Sequence, residues 1–332
     1  MTDVLAVPNS STPPSATPRR RRALRILAAI AAIVTITAAV GAAWQHVASE
    51  RDRSATPPPG EMVDVGGRNL HLLITGDGAG PTIVLEAAMF GFSPQWTWVQ
   101  QELASTHTVV SYDRPGLGWS DPDPHGVDPD RIADDLHTAL RRQGLPQPWI
   151  LVGHSMGGLM VRTFADRYPD AVAGVVLVDA THPEVAEGPT PRIAGPVVRL
   201  LGRTGVLRAT GVLAREAAGL PAEALPIVTS TPHIDQAARE MAGFSTFGRD
   251  AAAADGLGST PLTVITAGDQ SQWWQAHQRD LATLSSSSRH VVVPDAGHKS
   301  LVTDRRHART VADEVAQLAR SSSPTQQRKG TP

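Results

Sequence analysis

Residues 149–168 read WILVGHSMGGLMVRTFADRY, and this stretch decides the fold. Trp149–Val152 is an apolar run of strand length. Gly157–Tyr168 is helical in pattern. Between them Gly153-His154-Ser155-Met156-Gly157 fits G-x-S-x-G, and the flanks supply the strand–turn–helix setting that a nucleophile elbow requires. Glycines at both ends of the turn remove side chains that would collide where the chain reverses. Ser155 then projects from the apex, and the backbone N–H of Met156 faces the site where an oxyanion would develop.

The segments on either side alternate strand and helix. Val63–Val65 and Asn69–Thr75 read as a hairpin joined through Gly66-Gly67. Thr82–Glu86, Thr108–Tyr112, Trp149–Val152, Val172–Val178, Thr263–Thr266 and His290–Val293 read as further strands. Ile132, Leu136 and Leu140 recur every four residues over 129–143, which predicts an amphipathic helix. The pattern predicts an α/β protein with a mostly parallel sheet of about eight strands covered on both faces. The core is expected at 61–179 and 261–320. Residues 180–260, with helical stretches at 193–203, 206–218 and 234–241, read as a helical cap inserted before the last two strands. It is placed to wall a pocket at the carboxyl ends of the strands.

A serine hydroxyl needs a base, and His298, in PDAGHKS after the strand HVVV, is the candidate. His154 lies inside the elbow and is expected to point into its support. His182, His277 and His307 are weaker choices. The acid that orients the histidine stays open between Asp269, the first choice, after the strand LTVITAG, and Asp179, the alternative, at the end of VAGVVLV. A second oxyanion donor is expected from Ala88 or Met89 in the loop AAMFGFSPQW. Trp273-Trp274 reads mainly as packing.

The N-terminus is a separate object. Residues 1–22 are rich in proline, serine and threonine and end in Arg19–Arg22, which reads as a disordered basic tail. Ile26–Trp44 is 19 residues without a charge, about 28 Å as a helix. An anchor helix is expected over 23–46, with the arginines on the cytoplasmic side and the catalytic domain outside the cytoplasm. A cleaved signal with secretion is the alternative, and a buried core helix the third reading. Residues 47–60, with Pro57–Pro59, read as a linker, and 321–332 as a frayed tail.

The chain has 332 residues, and 32 acidic against 30 basic residues give a net charge of −2. That balance argues against nucleic acid as a partner. Cysteine is absent, which excludes thiolate chemistry, disulfides and cysteine-held metals. HExxH, P-loop and GxGxxG patterns are missing too, so neither a cofactor nor a metal is expected.

The elbow GHSMGG, the segment SYDRPGLGWSD at 111–121, LVDATHPE at 177–184 and the late Gly297-His298 together resemble the α/β-hydrolase fold superfamily over roughly 61–320. The resemblance implies Ser155 as nucleophile, His298 as base and an acidic third member. It treats Asp113 and Arg114 as loop braces. Relatives that open epoxides or remove halides carry aspartate where Ser155 stands. Ala87-Ala88 replaces the usual His-Gly, and Gly268-Asp269 shortens the usual spacing before the acid. The implied activity is hydrolysis of a small or medium acyl substrate, chiefly a carboxylic ester. Amide or peptide hydrolysis, carbon–carbon cleavage and cofactor-free peroxidation on the same scaffold are the alternatives. A catalytically inactive membrane-tethered binding protein is a further one.

Overall fold

A computed structural model describes residues 18–78, 80–188 and 193–322. The expected tails lie largely outside these residues, at 1–17 and 323–332.

Eight strands form one sheet: β1 (Glu61–Asp64), β2 (Asn69–Thr75), β3 (Ile83–Glu86), β4 (Val109–Tyr112), β5 (Trp149–His154), β6 (Val172–Val178), β7 (Leu262–Ala267) and β8 (Ser288–Val293). Their order is β1-β2-β4-β3-β5-β6-β7-β8. The β1–β2 and β2–β4 pairs are antiparallel, and the others are parallel. The central strands are apolar throughout because both faces are covered. Successive residues still point to opposite faces. Ile83, Leu85, Ile150 and Val152 pack beneath α2 (Thr97–Leu103) and α14 (Arg305–Ser321). Val84, Trp149 and Leu151 pack against α3 (Pro129–Arg142) and α4 (Gly157–Arg167). α3 starts where the sequence demands it. The Asp128 carboxylate accepts the N–H groups of Asp130 and Arg131, and Pro129 occupies the first turn.

Between β6 and β7 the described residues form seven helices: α5 (Pro183–Ala186), α6 (Ala194–Arg203), α7 (Val206–Ala209), α8 (Val212–Glu216), α9 (Ala224–Val228), α10 (Thr231–Ala242) and α11 (Phe244–Ala253). The expected helix over 206–218 is broken in two because Gly211 takes φ +65°. α12 (Gln272–Leu281) follows β7, and α13 (Ser300–Thr303) follows β8.

The N-terminal helix α1 runs from Pro18 to Ala55 without interruption, 38 residues and about 57 Å. By length and composition it can cross a membrane, and its apolar stretch is unburied in the chain itself. It outruns the expected 23–46 at both ends and absorbs most of the presumed linker. Residues 47–55 contain no breaker, and the helix stops just short of Pro57–Pro59. Its last turns are packed into the cap. Gln45 and Ser49 are each 1% exposed. Gln45 Nε2 donates to Thr229 O at 2.9 Å, and Ser49 Oγ accepts Thr231 N–H at 2.9 Å. Arg208 pairs with Asp52 at 2.6 Å, and Arg53 donates to Gly118 O at 2.9 Å.

Candidate active site

β5 delivers Ser155 to the apex of a turn too tight for ordinary side chains. Ser155 itself has φ +55°, a strained value for a residue other than glycine. The glycines around it are required by contact. A Cβ on Gly153 would lie 2.5 Å from Gly157 O. One on Gly157 would lie 2.4 Å from Glu86 O, and one on Gly158 would lie 2.4 Å from the Ala180 Cβ. The elbow is thus wedged between β3, β6 and its own helix.

His298 sits on the loop between β8 and α13. Its Nδ1 donates to Asp179 Oδ2 at 2.6 Å. The bond fixes the neutral tautomer, with the lone pair on Nε2. Asp179 directly follows β6, at φ +42°, and is fully buried. Burial pushes its pKa up, but hydrogen bonds from His298, Gln270 and the Ala267 N–H outweigh burial and hold it below the usual carboxylate value. Trp274 Nε1 is a further donor at 3.0 Å.

The carboxylate on His298 is therefore that of Asp179, and the expected first choice, Asp269, does not make this bond. Asp269 is exposed. It lies behind the histidine loop, where its Oδ2 would touch a Cβ on Gly297 at 2.7 Å and its N–H donates to Ala296 O. The physical reason is a division of labour between neighbouring strand ends. The loop after β7 and the start of α12 supply donors, Gln270 and Trp274, and the acid that receives them follows the end of β6. Trp274 thus has a polar role that its reading as packing missed.

His154 points into the support, as expected. It is buried, and burial followed by repulsion from His298 lowers its pKa to about 3. Gln95, absent from the sequence reading, orients it. Gln95 Oε1 accepts the Ala88 N–H at 3.2 Å, so its Nε2 donates to His154 Nδ1 at 2.7 Å. His154 Nε2 in turn donates to His298 O at 2.9 Å. One chain of bonds runs from the loop after β3 to the loop carrying His298. It engages the Ala88 N–H, one of the two donors expected from that loop.

Arg114 braces the same loop from below. It is 1% exposed and donates to Ala87 O at 2.8 Å and Ala88 O at 2.9 Å. It pairs with Glu86 of β3 at 2.5 Å and with Glu240 of α10 at 2.7 Å. Burial opposes its charge, yet these two carboxylates hold its pKa above the ordinary arginine value. His233, also on α10, accepts the Gly118 N–H and donates to Phe90 O. Asp113 accepts the N–H groups of Ser93 and Trp119 and bonds His71, a structural turn as expected.

Ser155, His298, Met89 and Phe90 line a cavity of about 430 Å³ whose remaining wall is largely apolar cap, including Leu213 and Met241. At the surface, His182, Glu184 and His277 bring ligand-type atoms within 4.8 Å of one another. His182 Nδ1 there accepts the Glu184 N–H, so its Nε2 carries the proton that meets Asp280. Its available lone pair is already in use.

The alpha/beta hydrolase fold family model matches residues 81–199. A thermophilic esterase from Thermogutta terrifontis is similar in structure, with a TM-score of 0.59, 23% identity and coverage of 78% of this chain and 97% of that one. So is the enol-lactonase from Burkholderia xenovorans, with a TM-score of 0.56, 24% identity and coverage of 78% and 99%. Among curated proteins, epoxide hydrolase 3 of Xenopus tropicalis is 32% identical over 133 residues, 37% of this chain and 33% of that protein. The uncharacterized protein YbdG of Bacillus subtilis is 20% identical over 161 residues, 48% of this chain and 49% of that protein. The chain spans half or less of the length of the curated relatives it matches. The eight-stranded sheet order, the elbow at the end of β5 and these likenesses agree: the chain has the α/β-hydrolase fold, and residues 81–199 match the model of that fold family.

Proposed function

We propose that the protein is a serine hydrolase that forms an acyl-enzyme on Ser155, with His298 as base and Asp179 as the residue that orients it. The observation that carries this reading is the 2.6 Å Asp179–His298 bond, with His298 and the strained Ser155 lining one cavity. His298 Nε2 takes the Ser155 proton as Oγ attacks the acyl carbon. Asp179 stabilises the imidazolium so formed. The N–H groups of Met156 and Met89 receive the oxyanion. The imidazolium returns its proton to the leaving alcohol as the acyl–oxygen bond breaks, and water, deprotonated by His298, releases the acid. The apolar cavity supports a carboxylic ester as substrate, and its volume suits a small or medium one. The close approach of Gly41 to Thr204 O of the cap supports α1 as a retained anchor, because a signal cleaved before Trp44 would discard that contact.

The test is labelling of the full chain with a fluorophosphonate, read by intact mass and peptide mapping. One adduct on Ser155, lost in His298→Ala, is expected. A folded protein that takes no adduct would falsify the reading and favour a binding role.

A further inference from the structure

The wall between the cavity and the outside is apolar on both sides. Val198 of α6 and Leu207 of α7 face the cavity. Their outward neighbours Ile193, Val197, Leu200 and Val206 are 66%, 41%, 62% and 41% exposed. Ile193, Val197 and Leu200 are spaced by four and three residues, which places them on one helical face. The opposite face of α6 is already used. A Cβ on Gly195 would lie 2.5 Å from Ala238 O, and one on Gly202 would lie 2.4 Å from Ile234 Cγ2, both on α10. A helix seated on a domain in water turns a polar face outward. This one turns out a second apolar face, and it needs a cover.

The height of that face is set by α1. A Cβ on Gly41 would lie 2.4 Å from Thr204 O, and one on Gly205 would lie 2.9 Å from the Trp44 ring. Thr204 and Gly205 are the residues joining α6 to α7. Trp44 closes the apolar run of α1, so in a bilayer it stands at the interface. The α6–α7 joint stands there with it, and Val206 follows the joint directly. α6 is about 15 Å long, so its exposed face begins at lipid level. Its outward face offers the apolar side chains that a helix at the membrane surface buries among acyl chains.

We infer that the outer face of α6 and α7 rests in the bilayer interface beside α1, and that the substrate is a bilayer-partitioned acyl ester whose chain enters the cavity from the lipid side. The surface assignment rests on the reading of α1 as a membrane span, and the substrate assignment rests also on Ser155 as nucleophile. The bond broken is the ester acyl–oxygen bond, water is the second reactant, and a fatty acid and an alcohol leave.

The absence of cysteine makes the experiment clean, because each introduced thiol is unique. Nitroxides are placed at Ile33→Cys, Leu200→Cys, Val206→Cys and, on edge strand β8, Val292→Cys. The full chain is reconstituted in phosphatidylcholine vesicles containing phosphatidylglycerol. Collision with oxygen against a water-soluble nickel chelate reports depth. The expected result is Ile33 deep, Leu200 and Val206 shallow but within acyl chains, and Val292 in water. A deep Ile33 with Leu200 and Val206 in water overturns the cap surface and leaves the anchor standing. An Ile33 in water overturns both.

The kinetic arm uses Leu200→Asp combined with Val206→Asp. Hydrolysis of a long-chain p-nitrophenyl ester held in the vesicles is expected to fall roughly tenfold, with a short soluble ester unchanged. Equal effects on both esters overturn the lipid-side route. Wild-type protein that takes no fluorophosphonate and cleaves neither ester overturns the substrate assignment, and the label depths still decide the surface.

Discussion

At the scale of single residues, two carboxylates separated by one strand have opposite circumstances. Asp179 is buried under four donors, whereas Asp269 is exposed behind Gly297. Asp179→Asn should lower kcat by about 10³–10⁴, because the amide favours the wrong histidine tautomer. Asp269→Asn should stay within roughly a factor of three of the parent, as surface changes do. Steady-state kinetics on one activated ester checks both, and the reverse ranking would return the acid to Asp269. Gln95→Ala removes the side chain that joins Ala88 to His154. We expect a loss of kcat of about 10-fold to 100-fold with little change in KM, since the loop proposed to hold the oxyanion donor loses a support. Ser155 and His298 were legible because each is announced by its immediate neighbours. Asp179 was legible only as the alternative to Asp269, and Gln95 not at all, because each faces a histidine more than fifty positions away, a neighbour in space that periodicity does not reveal.

At the scale of elements, the helix α10 grips the loop after β3 through Glu240, by way of Arg114, and through His233. Glu240→Gln leaves the Arg114 guanidinium with one buried counter-charge instead of two. We expect a loss of about 1.5–3 kcal/mol in stability, the range for a hydrogen bond to a charged group, measured as denaturant unfolding of the full chain in detergent. An unchanged midpoint would show that the pair contributes nothing. Gly158→Val should prevent folding of the elbow, because even a Cβ there meets Ala180. Strands, α3 and the cap's existence were readable from apolar runs and periodicity. The end of α1 was misjudged because composition marks residues 47–55 as a charged linker, while their helix propensity and the cap's buried contacts carry the helix on to Ala55. The division of 206–218 depended on a left-handed glycine, which the amphipathic pattern does not show.

At the scale of the whole molecule, two buried histidines make stability depend on pH. His154 and His233 are held neutral, with pKa values lowered to about 3 and about 4. In the unfolded chain each protonates near 6.5. The unfolded state therefore binds more protons throughout the window between, and stability falls as pH falls from about 6.5 towards 4. Each histidine contributes roughly 1.4 kcal/mol per pH unit once the pH is well inside that window. Thermal unfolding in detergent from pH 7 to 4.5 should show this decline, and a flat profile would mean the two rings are hydrated. The continuity of α1 has a different consequence, one of manufacture and turnover. Gly41 and Trp44 are tenons in the cap, and Gln45 and Ser49 are mortised behind them. A protease that trimmed the chain after the apolar run would not release the domain with its cap contacts intact. It would remove the contacts that hold the joint between α6 and α7, so the domain and its N-terminal helix are made and destroyed as one piece.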